Sequence, residues 1–161
     1  MILSLSYYIL AIGGIWLGQL LGWHNDIWEF YDFPIQPGSP PAWALVAGLV
    51  ISAAALASLG VAYIGVWRIL SGGPDQDFRQ LAQNLKRLGL GLIGFWLGYN
   101  VLSGAVQHLI VLHLNNTEGF DFGWDPLDLD ILFFIIGTAV LAIGRTMQRA
   151  WAAEDEVQHF L

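Results

Sequence analysis

Cysteine is absent from the chain and lysine occurs once. The first absence excludes disulfides and thiolate metal sites. Charge of either sign is scarce, at 12% of residues, about half of what a soluble domain carries. Six basic residues stand against thirteen acids. They are too few and too scattered for a phosphate-binding surface, so direct nucleic-acid binding is not expected. Residues 2–22, 43–67 and 88–107 contain no Asp, Glu, Lys or Arg at all. No nucleophile–base pair, phosphate loop or facing pair of acids is recognisable. The stretch "GGIWLG" lacks the preceding strand that a dinucleotide fingerprint needs. The expectation is a non-enzymatic protein with no catalytic residue, no cofactor and no metal.

What the chain has instead is apolar length: 56% of its 161 residues are hydrophobic. Four runs, at about 2–23, 42–67, 88–114 and 127–146, reach or approach the ~20 residues that cross a bilayer. The first lacks a basic start and a small-residue cleavage site, so it is expected to be retained as a span. The expected fold is an all-α membrane protein, a four-transmembrane-helix bundle over residues 1–161. It carries a short cytoplasmic amphipathic helix within the loop 68–87 and a cytoplasmic extension of the fourth helix into the tail 147–161.

The basic residues are sorted by position. Arg68, Arg79, Lys86 and Arg87 lie between runs two and three, and Arg145 and Arg149 follow the apolar core of run four. The segments His24–Pro41 and Asn115–Pro126 have none. Basic residues of short loops stay in the cytoplasm. Both termini are therefore expected inside, with the lipid bilayer of a bacterial inner membrane as surroundings. Asp26, Glu29, Asp32, Glu118, Asp121, Asp125, Asp128 and Asp130 then face outward. Asp125, Pro126 and Asp128 suit the start of the fourth helix.

Gly14, Gly18 and Gly22 recur every fourth residue in run one, Gly91, Gly94 and Gly98 line run three, and run two contains "ISAAALASLG". In lipid, small residues let helix backbones approach closely. These stripes are expected to be seams inside the bundle, with a seam between copies of a homo-oligomer as their second use. Asn100, Ser103 and Gln107 fall at helical spacing on one face of run three, with His108 beside them. Gln19 lies at a similar depth in run one. Polar groups in lipid need partners, so Gln19 and Gln107 are expected to pair or to share one. This polar face is either interhelical glue or a small-ligand pocket. Phe78, Leu81 and Leu85 on the amphipathic helix, and Glu154, Asp155, Glu156 and Phe160 in the tail, are candidates for docking a cytosolic partner. His24, His108 and His113 are the residues that a metal-, haem- or quinone-binding reading would use.

Two segments carry a resemblance. "WRILSGGPDQDFRQLAQNLKRLG" presents Gly73, Phe78, Leu85, Arg87 and Gly89 in order, and "AIGRTMQRAWAAEDEVQHFL" passes from basic to Glu-rich to a hydrophobic end. Together they resemble the bacterial family of small four-span membrane proteins catalogued as domain of unknown function 2975. Where that family has an Asn after its Glu residues, Val157 or Gln158 stands here. The resemblance implies no activity and no catalytic residue. Genes of the family often neighbour one for a small helix-turn-helix regulator, which implies a regulatory or sensing role beside a cytosolic DNA-binding partner.

Overall fold

A computed structural model describes residues 2–22, 40–72, 77–115 and 131–159, and every regular element among them is helical. Helix α1 runs Ile2–Leu20, α2 Ala42–Ser71 and α3 Phe78–Trp96. The third run continues without a break through a π-helical segment, Leu97–Ser103, into α4, Gly104–Asn115. Helix α5 covers Ile131–His159.

Local chemistry sets the ends. Pro41, just ahead of α2, accepts hydrogen bonds from the amides of Ala44 and Leu45, as a residue at a helix start does. Asp77 caps α3: its carboxylate accepts from the Arg79 amide at 3.2 Å, and its carbonyl accepts from Leu81. Helix α1 closes on Gly22, whose φ of 88° is left-handed, while the Gly22 amide donates to the Gln19 carbonyl. Glycine adopts that conformation without the steric cost other residues meet. The proposed cap at Asp125–Asp128 lies outside the described residues.

Three helical stretches are long and apolar enough to cross a membrane: Ala42–Ser71, Phe78–Ile110 and Ile131–Ala153. The amphipathic segment and the third span thus form one helical stretch. The second helix extends four residues past its expected end at Trp67, through Arg68 to Ser71. Thirty residues at ~1.5 Å each span ~45 Å, which leaves room for polar turns beyond a ~30 Å hydrocarbon core. Helix α1, the expected first span, is not among the three.

The distribution of side chains is the reverse of that in a soluble protein. Leu17, Val50, Ile64, Leu90, Leu102, Ile135, Ile136 and Ile143 point outward, whereas Ala44, Ala55, Ala62, Ala82, Gln19, Ser52, Asn84 and Ser103 are buried. Large apolar groups outside and small or polar groups inside suit hydrocarbon as solvent.

The chain packs as two compact units, Met1–Leu56 with Leu97–Asp128, and Ala57–Trp96 with Leu129–Leu161. In the first, the buried Trp16 indole lies over Gly48, and Gly98 meets Ala55. In the second, Gly91 lies against Ser58 and Ala62, Gly89 against Gly137 and Leu141, and Gly144 against Ala82, Leu85 and Lys86. Phe95 meets Phe133 edge-on, with ring centroids 5.4 Å apart, and Trp96 meets Phe134 at 4.8 Å.

The glycine stripe of run three is therefore a seam along Gly91, Gly94 and Gly98. The stripe of run one is not a continuous one. Gly14 is exposed, and no atom would lie within 4 Å of a methyl carbon added there. The close approach of α1 comes from its largest side chain, Trp16, seated on a glycine of α2.

Candidate functional site

The first unit turns polar side chains inward. Gln19 on α1, Ser52 on α2 and Ser103 at the end of the π segment are each at most 2% exposed. Asn100, half-buried as a residue, has a buried amide nitrogen. Neither amide atom of Gln19, neither hydroxyl of Ser52 and Ser103, nor that Asn100 nitrogen has a hydrogen-bond partner in the protein.

Helical hydroxyls usually close on their own backbone. Thr138 donates to the carbonyls of Phe134 and Ile135, and Thr146 donates to Ala142 at 2.9 Å. Ser52 and Ser103 have the same option and do not take it. Each buried polar atom left unpaired costs about 1–3 kcal/mol, and water is scarce at this depth.

The π segment contributes to this arrangement. Its i→i+5 bonding widens the coil, and π turns inside α-helices concentrate at functional sites. The expected single face of Asn100, Ser103 and Gln107 assumed α-helical spacing throughout. Residues 97–103 do not have that spacing, so Ser103 is buried while Gln107 and His108 are half-buried on α4.

Contacts give the heights. Successive meetings of Gly91 with Ala62 and of Gly98 with Ala55 run in opposite senses along the two helices. Ser52 lies three residues before Ala55, ~4.5 Å along α2, and Ser103 lies about one turn past Gly98. They reach a common level, with Asn100 between. Gln19 lies on the other side of the Trp16–Gly48 contact, about 10 Å further along α2. All four groups are uncharged. They can donate and accept hydrogen bonds but cannot neutralise an ion. The expected link between Gln19 and Gln107 is not made, since both Gln19 amide atoms are unpartnered.

The other candidates are dispersed. His24 lies outside the described residues, and His113 is exposed, five residues beyond His108 on α4. Among the described residues, no group of three His, Cys, Asp or Glu could hold a metal ion. Phe78 is exposed, but Leu81 and Leu85 are half-buried. Leu85 packs at Gly144, so α5 covers part of the proposed docking face. Glu154, Asp155 and Glu156 continue α5 as helix, and Phe160 lies outside the described residues.

Two buried polar residues were not anticipated. Ser52 sits within a run of small residues and was read only as packing. Asn84 is 5% exposed and accepts a 3.4 Å hydrogen bond from Arg87. Its place in the Leu81, Leu85, Leu88 stripe was the available signal, because positions three and four apart share a helix face.

No family model, curated protein or solved structure matches this chain.

Proposed function

We propose that this chain is a non-enzymatic membrane protein that holds a small, uncharged, hydrogen-bonding molecule among Ser52, Asn100 and Ser103 and serves as a sensor for a cytosolic partner. The observation that carries this reading is the set of buried, unpartnered polar atoms beside the π segment. A guest with both donors and acceptors would satisfy them. A charged guest would find no counter-charge there.

In this reading the helix Ile2–Leu20 is a fourth span, both termini are cytoplasmic, and the protein resides in a bacterial inner membrane. The gathering of all basic residues outside the two segments His24–Pro41 and Asn115–Pro126 supports that orientation. The regulatory role, and the helix-turn-helix regulator as partner, rest on the family resemblance of residues 67–89 and 142–161.

The test is the small-molecule content of protein purified from its own membrane. Mass spectrometry of the solvent extract should show a neutral polar compound retained by wild type. A folded Ser52→Ala/Ser103→Ala variant should lose it. Identical extracts from both proteins would defeat the proposal.

A further inference from the structure

All six basic residues of the chain fall in the second unit. Arg68 ends α2, Arg79, Lys86 and Arg87 lie on α3, and Arg145 and Arg149 lie on α5. Packing brings these positions to one end of the three helices. Gly65 touches the backbone of Asn84 and Leu88, so Arg68, three residues on, reaches the level of the middle of the 79–87 stretch. Gly144 touches Ala82, Leu85 and Lys86, which sets Arg145 beside the Lys86 level. The Arg79 guanidinium lies 5.0 Å from the centre of the Trp151 ring, which puts Arg149 between that contact and Gly144. From Arg79 to Arg87 the layer is about 12 Å thick along α3.

The layer has a distinct chemistry. Trp67 and Trp151 flank it, Trp67 being 62% exposed, and indoles favour the membrane–water boundary. Arg79, Arg87, Arg145 and Arg149 are exposed, and Lys86 is half-buried. Asp77, the described acid at this end, accepts the Arg79 amide as a helix cap. Arg87 is tied to a neutral amide, that of Asn84. On the apolar side, Leu90 is exposed one turn past Lys86. A lipid seated here would lay its acyl chains along that side and bring its phosphate to the cations.

We propose that this layer is a binding site for anionic phospholipid headgroups, centred where Lys86 of α3 and Arg145 of α5 share a level and bordered by Arg149. Long basic side chains reach along the helix surface to a headgroup while their stems stay on apolar surface. Several cations with an apolar flank match an anionic headgroup better than a free anion.

The experiment uses full-length protein in nanodiscs of phosphatidylcholine alone or with phosphatidylglycerol added, with bound lipid counted by native mass spectrometry after gentle release. Wild type should enrich phosphatidylglycerol over its share of the disc. Lys86→Gln/Arg145→Gln/Arg149→Gln should lower that enrichment on the order of 10–100-fold, given the attraction of each basic residue to an anionic surface. The separate variant Arg79→Gln, remote from the Lys86–Arg145 level, should lower it less. Equal retention of both lipids by wild type would overturn the proposal, as would an undiminished preference in the triple variant. Displacement of the lipid by inorganic phosphate would also overturn it, assigning the layer to a free anion.

Discussion

The Trp16 indole covers Gly48 so closely that a methyl carbon on Gly48 would lie 1.9–2.4 Å from three atoms of the ring. Trp16 is 1% exposed, so the ring has no free direction in which to retreat. Gly48→Ala should therefore destabilise the first unit by about 1–3 kcal/mol, measured by thermal or denaturant unfolding in detergent. Adding Trp16→Leu should recover part of that loss, giving a double variant less damaged than the sum of the singles. Strict additivity would separate the two residues.

Gly91 and Gly60 make a matched pair. A methyl carbon at Gly91 would come within 2.5 Å of the Ala62 nitrogen and 2.6 Å of the Ser58 carbonyl oxygen, whereas at Gly60 it would meet nothing within 4 Å. Backbone atoms cannot step aside as a flexible side chain can. Gly91→Ala should cost about 1–3 kcal/mol, while Gly60→Ala should be neutral or stabilising by up to ~1 kcal/mol through the helical preference of alanine. Melting temperatures that move together would contradict the seam.

Arg79 and Trp151 join α3 to α5 far along the chain, and the contact is at an exposed site. Arg79→Gln and Trp151→Leu should each weaken the unit slightly, with a coupling of about 0.5–1 kcal/mol in a double-mutant cycle. The coupling should survive high salt better than that of an exposed ion pair. A coupling of zero would show the ring and the guanidinium acting separately.

Reporter fusions after Gly38, Gly73, Gly119 and Leu161 should read outside, inside, outside, inside. An external signal at Gly73 would overturn the proposed orientation, because the basic segment from Arg68 to Arg87 surrounds that site.

Helical character, three of the spans and the glycine seam of run three were legible because each follows from residue type and length alone. Apolar length reports what a helix must face, and Gly91, Gly94 and Gly98 report how near a neighbour comes. The burial of Ser103 and Gln19 was legible as polarity within an apolar run. Their lack of partners was not, since a sequence shows no distances. Ser52 was hidden among alanines, and Asn84 among leucines. The π segment was invisible for a different reason. "LGYNVLS" contains nothing that departs from an ordinary α-helical pattern, and the widened coil depends on what packs around it. Gly14 misled because spacing of four fits a seam equally well whether or not a neighbour is there.

The π segment also fixes a phase. Residues on its far side, including the buried Val106 and Ile110, are oriented by a coil that holds more residues per turn than the helix before it. Removing one residue between Leu97 and Ser103 would let the segment relax to α-helix, and every later position would be offset by about 100° around the axis. Val106 and Ile110 would rotate away from the interior, and neighbours such as Leu109 would rotate toward it. The length of this seven-residue segment is therefore a constraint separate from its composition: substitutions there alter single contacts, whereas a deletion re-indexes the whole of α4.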